Sequence, residues 1–262
     1  RGYIAVFETV LYEVRNQVAY ITLNRPDKLN AFTEQLNKEI QSAIKSASRD
    51  KDVRALVLTG AGRAFCSGED LAGVSDEMDH GEVLRKRYNP MLLELDRCEK
   101  PVIAAVNGVA AGAGMSLALA CDFRIASEKA SFVEAFIHVG LVPDAGNLYY
   151  LPPLIGHAKA MELAVFGEKI PADKAKDLGL VTEVYSLDNW NDNVAAFAER
   201  LANMPTKAIG LIKRNLKASW HSSFEEYLER DAQGQRIAGQ TADHKEGVTA
   251  FMEKRKPVFK GE

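Results

Sequence analysis

An α/β core with largely parallel strand pairing, followed by a helical C-terminal region, is the fold class that three observations predict. Short β-branched and apolar runs alternate with amphipathic helical stretches; two of these runs end in glycine-containing turns; and from about Leu187 onward the pattern is nearly all helical. Val18 to Leu23 is the first such run, closed by the turn Asn24-Arg25-Pro26-Asp27. Thr33 then reads as the N-cap of a helix with Leu36, Ile40 and Ile44 on one face. Residues 53–58 form the next strand, which ends in Thr59-Gly60-Ala61-Gly62 and a loop carrying Cys66-Ser67-Gly68-Glu69-Asp70. Residues 75–100 are charged and helical in pattern, with Pro90 expected to interrupt them and 78–87 expected to be mobile. Pro101 opens the strand Val102 to Val106, and Asn107-Gly108 leads to Gly112-Ala113-Gly114 and an apolar helix through Leu119. Short strands follow at 123–126 and 131–133, and C-terminal helices start near Asp188, Pro205, Ser223 and Ala242. The expected organisation is a core over 1–190 and a helical region over 191–262 that covers a site or builds an oligomer, with no fixed-period repeat and no low-complexity linker.

Composition narrows the partners. At 47% hydrophobic content, 262 residues can bury a substantial core. The 33 Lys and Arg against 36 Asp and Glu give a formal charge of -3, so neither nucleic acid nor an anionic membrane is expected, and anion binding must be local. Cys66, Cys98 and Cys121 are odd in number and sit in apolar surroundings, which reads as buried thiols in a reducing, cytoplasmic setting. The apolar stretch 102–120 contains Asn107, Ser116 and three glycines, and so reads as strand, loop and helix rather than a membrane span. Residues 1–10 lack the regions of a signal peptide. His138 and His157 have no partner at ligand spacing, so no metal is expected.

The two strand-to-glycine turns can aim backbone N–H groups into a cleft, where two converging donors would hold an oxyanion. Taken alone, they read equally as plain connections. No Gly-Lys-Ser/Thr follows either cluster, and Gly108, Gly112 and Gly114 lack dinucleotide-fingerprint spacing.

The segments together are more specific. Leu23-Asn24-Arg25-Pro26 with Leu29-Asn30-Ala31, then Ala64-Phe65-Cys66-Ser67-Gly68-Glu69-Asp70-Leu71, then Ala104-Ala105-Val106-Asn107-Gly108-Val109-Ala110-Ala111-Gly112-Ala113-Gly114, resemble the crotonase (enoyl-CoA hydratase/isomerase) family in order and spacing. Pro171-Ala172-Asp173-Lys174-Ala175 and Glu246-Gly247-Val248-Thr249-Ala250-Phe251 extend the likeness to the end of the chain. The resemblance implies a spiral of ββα units with C-terminal trimerisation helices, a homotrimer or dimer of trimers, and an acyl-CoA substrate. No cofactor is implied beyond the coenzyme A of the thioester itself. It maps the oxyanion donors to the N–H groups of Glu69, after Gly68, and Ala113, after Gly112. It places Lys28, Leu29 and Ala31, and the strip Ala64, Cys66 and Ser67, along coenzyme A, with Phe251 and Lys254 offered from a neighbouring subunit. Lys254 reads equally as a solvated lysine beside Arg255 and Lys256.

Hydratases of the family hold a water between two glutamates, and this chain has Ser116 and Phe136 at those positions. Gly140-Leu141-Val142-Pro143-Asp144-Ala145-Gly146 instead places an acid where isomerases and a dehalogenase of the family carry their catalytic aspartate. The closest likeness is to isomerases of ring-containing thioesters in phenylacetate breakdown, supported by Arg87-Tyr88-Asn89-Pro90 and Leu228-Glu229-Arg230-Asp231. Asn147-Leu148 departs from the glycine and threonine expected there. The implied activity is a proton shift with Asp144 as base and acid, in a pocket lined by Phe136, Ile137, Leu141 and Val142 that raises its pKa. On residues alone Asp144 reads first as an N-cap for a helix through Leu148 and Tyr150. Glu134 reads as an exposed strand acid, Tyr149 and Tyr150 as packing or an aromatic acyl wall. Two alternatives stand beside this reading: a hydratase with an atypical site, and a non-catalytic acyl-CoA- or RNA-binding relative whose handle would be Lys207, Lys213, Arg214 and Lys217.

Overall fold

Ten strands assemble into two sheets in the computed structural model, which describes residues 7–75 and 77–262. Residues 1–6 of the opening segment lie outside the described residues, as does Asp76. In chain order the strands are β1 (Val10–Arg15), β2 (Val18–Leu23), β3 (Ala55–Gly60), β4 (Ala64–Cys66), β5 (Val102–Val106), β6 (Val109–Ala111), β7 (Phe123–Ser127), β8 (Ser131–Val133), β9 (Ile170–Pro171) and β10 (Glu183–Tyr185). The larger sheet runs β1-β2-β3-β5-β7-β10 and the smaller β4-β6-β8-β9. From β3 to β8 the chain visits them alternately, so each turn of the spiral there lays one strand in each sheet. Pairing is parallel except for the hairpin β1/β2 and the edge pair β8/β9.

The helices are α1 (Glu34–Arg49), α2 (His80–Val83), α3 (Asn89–Arg97), α4 (Ala113–Ala120), α5 (Asn147–Ile155), α6 (His157–Phe166), α7 (Ala172–Asp177), α8 (Trp190–Ala202), α9 (Thr206–Ala218), α10 (Phe224–Gly239) and α11 (Ala242–Met252). Thr33 caps α1 as expected, its hydroxyl accepting the Leu36 N–H at 3.2 Å. Leu36, Ile40 and Ile44 are fully buried, each contributing about 1.5–3 kcal/mol by leaving water. One face of the larger sheet packs into this main core. Its other face carries Val18, Tyr20, Val57, Ile103 and Ile125 against Val194, Ala198 and Ala202 of α8.

Two expectations are corrected. The strand foreseen at 53–58 spans Ala55–Gly60, because the Val53 N–H is spent on Asp50 O in the turn after α1 and pairing with β2 runs on until Gly60 lies opposite Leu23. Pro90 does not interrupt the helical segment. Between α2 and α3 the residues Leu84–Tyr88 form a π turn in which the Asn89 N–H reaches back to Leu84 O, so Pro90 falls in the first turn of α3, where its missing donor costs little.

All three cysteines are buried and free. The basic cluster on α9 is mostly neutralised: Lys213 pairs with Asp122 at 2.7 Å, Lys217 with Asp96, and Arg214 lies 3.9 Å from Glu99. Among the described residues no helix is long and apolar enough to cross a membrane.

Candidate active site

The parallel strands β4, β6 and β8 all end at one cavity of about 470 Å³, a size suited to a small-molecule group. Ser67, Gly68 and Glu69 enter it after β4, Gly112 and Ala113 after β6, and Ala135 and Phe136 after β8. Leu71, Val74, Met78, His80, Val83, Leu84 and Tyr88 form a facing wall, and Val139, Leu141 and Asp144 complete the lining.

The glycine turns bring two backbone donors to this space. Gly68 has φ +99°, and a Cβ built there would lie 3.1 Å from Ala111 O and 3.7 Å from Ala113 N. A side chain at Gly68 would therefore wedge the two turns apart. Gly114 lets α4 approach β4, since a Cβ would sit 2.2 Å from Cys66 O. Ala113 begins α4, so its N–H has no partner within the helix, and the Glu69 N–H is likewise without a partner among the described residues.

The Glu69 side chain is tied away from its own N–H. Arg87 grips the carboxylate with two bonds, 2.9 and 3.0 Å, while donating also to Asn37 Oδ1, and the Tyr88 hydroxyl donates to the same carboxylate. This clamp joins the loop after β4 to the π turn.

Asp144 lines the same cavity, with its Oδ1 buried and without a protein partner among the described residues. Burial pushes its carboxyl up to about 6; the Glu69 carboxylate adds to the rise and His80 opposes it. It does not cap a helix, because Gly146 occupies the N-cap of α5 and the Asp144 carbonyl accepts the Asn147 N–H at 3.0 Å. A carboxylate with a raised pKa that shares a cavity with two such N–H groups can move a proton next to a carbonyl whose oxygen the N–H groups hold.

The enoyl-CoA hydratase/isomerase family model matches residues 13–262. The chain belongs to the enoyl-CoA hydratase/isomerase family. The 1,2-epoxyphenylacetyl-CoA isomerase of Escherichia coli K12 is 40% identical over 98% of this chain and 100% of its own length. A Rhodobacter capsulatus protein named "Probable enoyl-CoA hydratase" is 42% identical over 97% of this chain and 99% of its own. The crystal structure of enoyl-CoA hydratase from Bacillus anthracis superposes with a TM-score of 0.89 at 33% identity, covering 97% of this chain and 100% of that one. The ββα spiral implied by the motifs is thus the fold of this enoyl-CoA hydratase/isomerase family member.

Of the residues singled out in the sequence, Ser67, Gly68, Glu69, Gly112, Ala113 and Asp144 meet at the cavity. Lys28, Leu29 and Ala31 do not line it but lie against its edge: Ser67 N–H donates to Leu29 O, and Phe32 N–H to Gly68 O. Ala64 and Cys66 are wholly buried, so neither side chain is offered to a ligand, and burial pushes the Cys66 thiol up to about 12. Phe251, 81% exposed, lines a separate groove on the C-terminal helices, and Lys254 follows α11; one chain alone does not bring them to the cavity.

Two details of the pocket differ from expectation, at Ile137 with Val142 and at Glu134, while Tyr149 and Tyr150 take the packing role read for them. Phe136 and Leu141 line it, but Ile137 and Val142 do not. Residues Ala135–Val139 form a 3-10 turn, whose period of three turns Phe136 and Val139 inward together and leaves Ile137 outside. Tyr149 and Tyr150 pack edge-on against Trp220 and are not an acyl wall. Glu134 is fully buried rather than exposed, since β8 is covered on both faces before the chain turns. The Arg87–Tyr88 clamp and the His80 wall were not foreseen. Arg87-Tyr88 stood in the motif with no role, because its partner lies eighteen residues earlier.

Proposed function

We propose that this chain is an acyl-CoA isomerase that shifts a proton within an enoyl-CoA or ring-containing acyl-CoA, with Asp144 as base and acid. The observation that carries this reading is the meeting of Asp144 with the free Glu69 and Ala113 N–H groups in one cavity, while the hydratase positions hold Ser116 and Phe136. Ser116 is fully buried and bonded to Asp144 O, and Phe136 is an apolar wall, so neither can activate water.

Asp144 removes a proton from the carbon beside the thioester carbonyl, and the electron pair passes into the carbonyl, whose oxygen accepts from the two N–H groups as an enolate. Asp144 exchanges that proton with solvent and then gives a proton to the extended enolate at a more distant carbon, which moves the double bond with no net change in atoms. A carboxyl at about 6 is still ionised at neutral pH and is a stronger base than an ordinary aspartate. No cofactor enters beyond coenzyme A in the substrate. Lys28, Leu29, Ala31 and Ser67 would run beside it, with Phe251 and Lys254 supplied by a neighbouring copy in a trimer or dimer of trimers. The ring-containing class is favoured by the name of the E. coli relative.

The R. capsulatus relative's name keeps water addition as the second reading. Product analysis of 3-enoyl-CoA and 2-enoyl-CoA in D₂O separates them. Double-bond migration with deuterium uptake, abolished in Asp144→Asn, is the expected result; water addition to 2-enoyl-CoA that survives this substitution would overturn the isomerase.

A further inference from the structure

Behind Asp144, outside the cavity, lies a cluster of three polar side chains, all fully buried: Ser116 on α4, Glu134 after β8 and Asn147 at the start of α5. Asn147 Nδ2 donates to Ser116 Oγ at 3.2 Å, and Ser116 Oγ in turn donates to the Asp144 carbonyl at 3.0 Å, with Gly112 O at 3.3 Å. This chain of bonds ends on the backbone of the acid that faces the substrate. Two of the departures from the family pattern, Ser116 for a glutamate and Asn147 for a glycine, are therefore members of one contact.

The backbone it holds is costly. Directly after Asp144 come Ala145 at φ +52° and Gly146 at φ +78°, two successive left-handed residues of which the first carries a side chain. Such a turn persists only where its surroundings fix it. The Asn147 N–H and the Ser116 hydroxyl both do so by donating to Asp144 O.

The cluster also has an unsettled account of protons. Both oxygens of Glu134 and the Oδ1 of Asn147 are buried and without hydrogen-bond partners among the described residues. As an anion, Glu134 can accept only from the Asn147 N–H₂ group, which Ser116 also uses, so it would leave buried acceptors short of a donor, each costing about 1–3 kcal/mol. A proton on Glu134 supplies the donor that Asn147 Oδ1 lacks, and it does so without disturbing the Nδ2 bond to Ser116.

We propose that Glu134 is a positioning residue that stays protonated and donates to Asn147 Oδ1, locking the chain Glu134–Asn147–Ser116–Asp144 that fixes the turn carrying the base. The inference rests on Asp144 being that base. Burial pushes the Glu134 carboxyl up to about 7; Asn147 beside it lowers the value and the Asp144 charge raises it further. Asp144 is the one titratable group acting on Glu134, while Glu69 and His80 act on Asp144 from the cavity side. Once Glu134 ionises it can only accept, so it draws the Asn147 N–H₂ group toward itself and Ser116 loses its donor. Turnover therefore rises as Asp144 ionises and falls as Glu134 ionises.

The test is kcat against pH with 3-enoyl-CoA for the natural chain and Glu134→Gln, together with infrared spectra of the unliganded protein. Glutamine donates to Asn147 at every pH, so the expected result is loss of the falling alkaline limb, with the acid limb and KM retained. The natural chain should show a protonated-carboxyl C=O band that disappears with rising pH and is absent in Glu134→Gln. An alkaline limb that survives the substitution, or the lack of that band at neutral pH, would overturn the proposal. If Asp144→Asn keeps isomerising, the reading of the base fails instead, and the infrared band still decides whether Glu134 holds its proton.

Discussion

The larger sheet is made of strands of five or six residues, apart from β10, and none of its residues lines the cavity; the smaller sheet has strands of two or three, and three of them deliver the chain into it. Long strands spend their N–H groups on neighbouring strands. A strand that stops after three residues releases the next N–H groups into a turn, and those of Glu69 and Ala113 have no backbone partner among the described residues. One sheet holds position, the other exposes donors, and substitutions in the two should fail in different ways.

The largest effect is expected at Asp144. Asp144→Asn should lower isomerisation of 3-enoyl-CoA by about 10³-fold, within the range for loss of a general acid–base group, while the thermal unfolding midpoint shows no loss of the fold. Leu56→Ala, in the fully buried β3, should do the reverse: stability falls by about 3 kcal/mol in urea unfolding, and kcat of the folded protein is unchanged. An equal loss of kcat there would break the division between the sheets.

A pH dependence of similar size is expected at Glu134. The native carboxyl holds its proton to about 7 and the unfolded one only to about 4.5, so stability is lost as pH rises through that interval. Glu134→Gln removes the loss and should be more stable than the natural chain by about 3 kcal/mol above pH 7, with no difference below pH 4. Denaturant titrations at both ends of the range measure it. Gly68→Ala should cost about 10²-fold in kcat by displacing one oxyanion donor, read from initial rates at saturating substrate.

The same contrast governs what the sequence reveals. β2, β5 and the α1 face with Leu36, Ile40 and Ile44 were legible because each runs long enough to display its period and pack one way. β4 and β6 are three residues each, too short for a period, and were legible only as family motifs. β1 was missed because its hairpin turns on Asn16 and Gln17, both at positive φ, with no glycine to mark them. Asp144, Glu69 and Ala113 were placed by likeness and do converge. The burial of Glu134 was illegible, since it depends on the fold around a residue whose neighbours in sequence say nothing of it.

The π turn at Leu84–Tyr88 amounts to one residue more than an α-helical turn would hold. It sets two consecutive side chains, Arg87 and Tyr88, on a single carboxylate, although neighbours on an α-helix diverge by roughly 100°. Deleting any one residue from this turn would leave a continuous helix, ending in the same α3 and still entering β5. The register of everything before it would rotate, and Glu69 would keep one partner at most. A length change of a single residue is thus enough to rewrite the polar wall of the cavity.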